Sequence, residues 1–379
     1  MTPIDITLVA GARPNFMKIA PLIRAFGKRA GKVRHRLVDT GQHSDPTMNR
    51  VFFDELGIPE PDVRLEGADT RLEAGGSTHA EVTARVMVAM ERELTEHPAH
   101  GVLVVGDVNS TLAAAITAKK LQRVLIHVEA GLRSGDRGMP EEINRLATDA
   151  ITDLFFVTEP SGHEALLREG HPADRIHFVG NVMIDNLFHQ IQRLQANPAS
   201  GGRGAALRAE LGSTPYGVVT LHRPSNVDHP EKLAGMVGVL RTLAKDLPLV
   251  FPVHPRTRAS LERHRIDLGP NIRTTPPLSY MEFLSLWKDA QIILTDSGGL
   301  QEESSAVGVR CVTLRDSTER PVTITDGTNV LAGTNPAHIL EVARAALSQP
   351  ASGKRPLLWD GRAAERILDV IVDSPLFAQ

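Results

Sequence analysis

Short, unbroken apolar runs separated by helix-patterned stretches constrain this chain more than any other feature. "DITLVAG" leads into "PNFMKIAPLIRAFGKRA", and "RHRLVDTG" follows. "GVLVVGD" leads into "STLAAAITAKKL" and "VLIHVEAG"; "LFFVTE" leads into "SGHEALLREG" and "IHFVGN". An apolar run without alternation marks a strand covered on both faces, the condition of a parallel strand. The stretches between them supply right-handed helical crossovers. The series breaks at 195–215, "QANPASGGRGAALRAELGSTP", read as a surface loop with one short helix. It resumes with "YGVVTLHRP", "PLVFPVHP", "NIRTTPPL", "AQIILTDSGG" and "VRCVTLRD". The predicted fold is therefore α/β, with two doubly wound Rossmann-like domains. Residues 1–180, with the C-terminal helix at about 361–379, form the first domain, and 181–360 form the second. Ligands of open α/β sheets bind beyond the carboxyl ends of the strands. The two domains are thus expected to face a cleft, with Asp107 and Ser297 on opposite walls.

Composition excludes several classes. A net charge of −3 over 379 residues argues against holding nucleic acid by bulk charge. No apolar run approaches the ~18 residues of a membrane span. The N-terminus reads as a buried strand and not a signal peptide, so a cytoplasmic enzyme is expected. Cys311, the single cysteine, sits in "GVRCVTL" and reads as a buried strand residue. No GxGxxG occurs, which removes the usual grip for a nicotinamide cofactor. No paired metal-ligand spacing occurs either, and no cofactor or metal is expected.

The stretch "TDSGGLQEESSA" (295–306) carries the sharpest chemical signal. Ser297 is placed to cap a helix, and Gly298 and Gly299 let backbone N–H groups approach an anion at its N-terminus. Glu303, about one turn further on, can accept hydrogen bonds from vicinal hydroxyls, as the acidic residue of dinucleotide folds does for ribose. A phosphate followed by a ribose describes a nucleotide. Arg13 and Lys18, in "GARPNFMKIAPL", flank a proline-started helix at a strand end, where a guanidinium can fork phosphate oxygens. His222 and His254, in "TLHRPSN" and "FPVHPRT", end two strands of the second series and are also candidate phosphate contacts. "HVEAGLRSGDRGMPEEINR" puts Glu129 at a strand end, whereas Glu141 and Glu142 suit an ordinary helix start. With Asp107, the first domain offers three carboxylates, the equipment for removing and returning a proton. "LRDSTERPVTITDGTNVL" (314–331) reads as a polar, turn-rich loop. A nucleotide grip with acids suggests a nucleotide sugar undergoing transfer or rearrangement.

The ordered motifs "RPNFMKIAPL", "TGQH", "GDVNST", "HVEAGLRSGDRGMPEEINR", "GNVMID", "LHRPSN", "PVHPRT" and "TDSGGLQEE" resemble the non-hydrolysing UDP-N-acetylglucosamine 2-epimerases along nearly the whole chain. The resemblance implies a glycosyltransferase-B-type fold and reversible C2 epimerisation of UDP-N-acetylglucosamine through 2-acetamidoglucal, without a cofactor. It implies Asp107, Glu129 and Glu141 as catalytic acids and His222 as a diphosphate-side group. Arg13, Lys18, Gln42, Arg145, His254, Phe283, Ser297, Gly298, Gly299 and Glu303 are implied to hold the UDP-sugar. The implied partners are UDP-N-acetylglucosamine or UDP and a second copy of the chain, with no nucleic acid and no membrane. A hydrolysing epimerase, a UDP-sugar-dependent glycosyltransferase and a non-catalytic nucleotide-sugar sensor are the competing readings. The chain departs from the commoner pattern at Asn15, Asp45 and Pro224. An added carboxylate and a lost guanidinium at the latter two positions work against a second, regulatory nucleotide-sugar site.

Overall fold

Each apolar series forms one all-parallel sheet, and each sheet is wound in the same order. The computed structural model describes residues 2–41, 53, 56–65, 78–349 and 353–378. The first sheet contains β1 (Ile4–Ala10), β2 (Val33–Asp39), β3 (Val63–Arg64), β4 (Gly101–Val105), β5 (Val124–Val128), β6 (Leu154–Val157) and β7 (Ile176–Phe178). Its order is β3-β2-β1-β4-β5-β6-β7. The second contains β8 (Gly217–Thr220), β9 (Leu249–Pro252), β10 (Ile272–Thr275), β11 (Ile292–Thr295), β12 (Cys311–Thr313) and β13 (Asn329–Leu331), ordered β10-β9-β8-β11-β12-β13. Winding reverses between β1 and β4 in the first sheet and between β8 and β11 in the second. Those reversals are where such sheets open a crevice for a ligand.

Internal contacts divide the chain into one unit of residues 1–186 and 358–379 and another of 187–357. The boundary falls within the helix Val182–Ala196. The first unit is held by a core in which Ile6, Leu8 and Phe26 pack with Ala363, Ile367 and Ile371 of the last helix, Ala363–Asp373. That helix has no cap of its own at Arg362. Instead Asp185 accepts the N–H groups of Ala363 and Ala364 at 3.1 and 2.7 Å, a contact of the kind worth about 1 kcal/mol. Trp359 adds a hydrogen bond from Nε1 to the Thr158 carbonyl at 3.0 Å.

The second unit packs Val219, Leu221, Leu240, Phe251, Leu294 and Val312 into one core. Residues 195–215 contribute the helix Gly202–Leu211, which lies against the helix Tyr280–Trp287. A side chain on Gly204 would come within 1.7 Å of the Glu282 carbonyl, so this approach requires glycine. Cys311 is fully buried on β12, and burial pushes its thiol up to about 12, which removes it as a nucleophile. The loop expected at 314–331 contains structure: the short helix Val322–Thr325 and the edge strand β13. With only three residues in β13, the strand is made by pairing with β12 and not by its own apolar pattern.

Candidate active site

At the switch point of the first sheet, the chain leaves β1 through Gly11, where a Cβ would lie 2.1 Å from Ser110 Oγ. Asn15 fixes the turn. Its Oδ1 accepts from the N–H groups of Gly11 and Ala12 at 3.3 and 3.0 Å, and its Nδ2 donates to the Val105 carbonyl at 3.1 Å. The helix Arg13–Lys28 therefore starts against the end of β4. Lys18 Nζ meets Glu129 Oε2 at 2.5 Å, with both side chains largely buried. Glu129 has φ +71, a left-handed conformation that a glutamate holds at a cost of about 1–3 kcal/mol. The turn after β5 thus spends stability to put this carboxylate against Lys18. Gly106 has φ +67, and a Cβ there would sit 2.9 Å from Lys18 Nζ.

Asp107 follows. Its carboxylate takes Arg145 Nη2 at 2.6 Å, and Arg145 Nη1 donates to Glu142 at 2.8 Å. Arg145, expected at the substrate, is tied to Asp107 and Glu142 in this structure. Glu142 also departs from the plain helix-start reading: it is buried. It accepts from the backbone of Ser134 and Gly135 and from the Ser134 hydroxyl, at 2.9, 3.1 and 3.0 Å. Burial works to raise its carboxyl, but these donors and Arg145 hold it below the usual range. Glu142 thereby shapes the 132–139 loop, while neighbouring Glu141 stays exposed at the start of the helix Pro140–Asp149. Beneath them, fully buried His127 contacts Asp149 at 2.7 Å and the Gly106 carbonyl at 2.8 Å. Asp149 also takes the Gly131 N–H at 3.0 Å and Arg133 at 2.7 Å. Lys18, Asp107, Glu129 and Arg145 are brought to one strand-end region, with Arg13 opening the same helix as Lys18. Gln42 and Asp45 lie outside the described residues.

At the switch point of the second sheet, Thr220 and Thr295 join β8 and β11 through their hydroxyls at 2.6 Å. His222, just beyond β8, places Nδ1 2.8 Å from Asp296 Oδ1. The His254 ring lies 6.0 Å from the His222 ring and begins the helix Pro255–Arg263, its Nδ1 accepting the Arg256 N–H at 3.3 Å. Burial, then His222 and Arg256, push the His254 imidazole down.

Ser297 sits at the N-cap of the helix Gly298–Val307, but its hydroxyl accepts no helix N–H. The expected cap is absent, and the Ser297 N–H donates to Thr295 Oγ1 at 2.9 Å. The first-turn donors are left uncapped by the serine, and a Cβ on Gly298 or Gly299 would meet no other described atom within 4 Å. Packing thus does not require these glycines. We expect Gly299→Ala to fold with equal or slightly higher stability, by up to ~1 kcal/mol, because alanine favours a helix. On the expectation that a phosphate sits on these backbone N–H groups, the same substitution should weaken UDP binding by about tenfold or more. Paired thermal melts and calorimetric titrations check this; unchanged UDP affinity would remove the phosphate role.

One turn into that helix the two carboxylates separate. Glu302 pairs with Arg320 at 2.8 Å, tying down the 315–321 segment. Glu303 accepts the Tyr280 hydroxyl at 2.7 Å, and burial lifts its carboxyl to about 7 against the opposing effect of that hydrogen bond. Tyr280 starts the helix that carries half-buried Phe283 three residues later, on the same side. Thr318 donates to Gln301 at 2.7 Å, and Arg315 clamps Glu319 with two hydrogen bonds at 3.0 and 2.7 Å. Asp296 and Tyr280 are absent from the sequence-derived set, and Glu142 reads there only as part of a helix start. Of the first two, only Asp296 has a signal, as the acid that ends a strand just before Ser297.

Two parallel, doubly wound sheets with charged groups gathered at their switch points define the doubly wound α/β class, whose ligands bind beyond the carboxyl ends of the strands. A model of the UDP-N-acetylglucosamine 2-epimerase family matches residues 26–372, and the chain belongs to that family. It is 36% identical over 374 residues to the UDP-N-acetylglucosamine 2-epimerase of Methanocaldococcus jannaschii, covering 97% of this chain and 99% of that one. The crystal structure of the M. jannaschii enzyme in complex with UDP-GlcNAc and UDP superposes with a TM-score of 0.81 at 35% identity, covering 97% and 99% of the two chains. The chain is also 37% identical over 371 residues to the UDP-2,3-diacetamido-2,3-dideoxy-D-glucuronate 2-epimerase of Pseudomonas aeruginosa, covering 97% and 99%. The fold is accordingly of the glycosyltransferase-B type. No described helix is long and apolar enough to cross a membrane.

Proposed function

We propose that the protein reversibly epimerises UDP-N-acetylglucosamine at C2 by eliminating and re-adding UDP through 2-acetamidoglucal. The observation that carries this is that a member of this family has, after β11 of one unit, a helix start uncapped by Ser297 and open at Gly298 and Gly299 with Glu303 one turn on, and, after β4 and β5 of the other unit, Asp107, Glu129 and Glu141. The C2 proton is not α to a carbonyl, so simple deprotonation is hard. In the proposed step a carboxylate takes the C2 proton, and the C–H electrons form the C1=C2 bond. The C1–O pair leaves with the β-phosphate of UDP. Re-addition with a proton delivered to the other face of C2 gives UDP-N-acetylmannosamine, and no redox cofactor enters the balance. Ser297 with the backbone of Gly298 and Gly299 is proposed to hold the diphosphate and Glu303 the ribose. His222, with Arg13 and His254, is proposed to stabilise the departing charge. Lys18 and Arg145 keep Glu129 and Asp107 in place.

A second reading, C2 epimerisation of the UDP-linked 2,3-diacetamido glucuronate, is carried by the equal likeness to the Pseudomonas relative. The test is incubation of purified protein with each nucleotide sugar alone, followed by proton NMR. The expected result is an equilibrium of two epimers of UDP-N-acetylglucosamine with UDP staying sugar-linked. Release of free N-acetylmannosamine with stoichiometric UDP would mark a hydrolysing enzyme, and turnover only with an added acceptor would mark a transferase. Conversion of the glucuronate alone would establish the second reading.

A further inference from the structure

Asp296 has no exposed side-chain surface, yet it adjoins His222, whose side chain is 40% exposed. Among the described residues, every side-chain hydrogen bond of Asp296 leads to the 222–226 turn. Besides His222 Nδ1, its oxygens accept the His222 N–H at 3.1 and 3.0 Å, the Arg223 N–H at 2.9 Å and Asn226 Nδ2 at 3.2 Å. Asn226 Nδ2 also donates to the Leu314 carbonyl at 3.0 Å, which anchors the turn beside β12. Burial works to raise the Asp296 carboxyl, and the His222 side chain followed by the backbone donors keeps it below the usual carboxylate range. An ionised carboxylate only accepts, so the His222 nitrogen facing it carries a proton. Nε2, on the other side of the ring, is then the atom left to work.

We propose that Asp296 is a positioning residue for His222: it fixes the Nδ1–H form, aims Nε2, and balances the positive charge whenever Nε2 is protonated as well. The proposal rests on the reading of His222 as the group that serves the departing diphosphate. There Nε2–H donates to the β-phosphate oxygen as the C1–O bond breaks, and recovers the proton when that oxygen re-adds. A carboxylate serving only to hold the turn would give the same backbone contacts but would need no defined ring tautomer. The same division of labour, a buried carboxylate orienting an imidazole that does the proton work, recurs on unrelated folds.

The decisive variant is Asp296→Asn. Its amide oxygen can still accept the backbone N–H groups, while its NH₂ donates to His222 Nδ1 and moves the ring proton to Nε2. The expected result is a fall in kcat of about 10²-fold or more, with KM and UDP affinity changed by less than about threefold. Adding Asp296→Asn to His222→Asn should cost no more than about threefold further, because the two residues act as one unit. A double variant that loses the product of the two single effects would overturn the proposal. A second measurement needs no variant at position 296 and no turnover: ¹⁵N NMR of histidine-labelled protein, with the His222 signal identified by its loss in His222→Asn. A proton on Nδ1 is expected, and a ring protonated at Nε2 alone would overturn the assignment. If no nucleotide sugar is epimerised, the proposed function fails, and the tautomer still decides whether Asp296 orients the ring.

Discussion

Replacing Asp107, Glu129 or Glu141 by its amide should lower the epimerisation rate by about 10²-fold or more while UDP affinity changes by less than about threefold, the loss expected for a general acid or base. The three substitutions differ in what else they disturb. Glu141 is exposed, so Glu141→Gln removes a carboxyl with a folding effect within about ±0.5 kcal/mol and isolates the chemistry. Asp107→Asn keeps the shape but takes the charge from the 2.6 Å contact with Arg145, which remains tied to Glu142. Glu129→Gln leaves the Lys18 ammonium largely buried without its counter-charge, so a lower melting temperature is expected with the lost activity. Steady-state rates, UDP titrations and thermal melts on all three separate these effects. Loss of UDP binding, or unfolding of Glu141→Gln, would contradict the assignment of proton transfer to this group.

Nucleotide-sugar affinity should depend on pH through Glu303. Burial raises its carboxyl to about 7, so at pH 6 the unliganded protein holds Glu303 mostly protonated and at pH 8 mostly ionised. Ribose hydroxyls donate best to the ionised form, so binding expels a proton. Affinity should rise by close to tenfold per pH unit below 7 and level off above it, since one proton is released. UDP-N-acetylglucosamine is the right probe, because its diphosphate is a diester that does not titrate in this range, whereas the terminal phosphate of UDP does. The same shift has a stability sign. The folded pKa lies above the ordinary value of 4.5, so the contribution is fully present below that value and is lost as pH rises through about 7. Glu303→Gln should therefore flatten both pH dependences, stabilise the unliganded protein above pH 7 and weaken nucleotide binding. An affinity independent of pH in the wild type would remove Glu303 from the ribose.

The sequence made the sheets legible because their central strands are continuous apolar runs, such as Gly101–Val105 and Ile292–Thr295, buried along their whole length. Two of the four edge strands escaped, whereas β7 and β10 were legible in "IHFVGN" and "NIRTTPPL". β3 has two residues and β13 three, and each exists only through its neighbour. Strand-end positions made Asp107, Glu129, His222 and Ser297 stand out, and the two reversals of winding place all four beyond the strands flanking or adjoining them. What remained hidden was partnership. Asp296 meets His222 across 74 residues, Tyr280 meets Glu303 across 23, and Arg145 meets Asp107 across 38. Local pattern carries no trace of such pairs. The Glu141–Glu142 doublet shows the limit most clearly: one acid is exposed and the next is the buried anchor of a loop, and only packing tells them apart.

The claim on which the rest depends is that the C2 proton leaves the sugar while UDP departs. Its most direct test is conversion of UDP-N-acetylglucosamine in heavy water, with no nicotinamide cofactor and no acceptor, followed by proton NMR of the recovered nucleotide sugars. Both C2 epimers should carry deuterium at C2, because each passage through the glycal exchanges that proton with solvent. Interconversion of the epimers with the original C2 proton fully retained in both would contradict the elimination route.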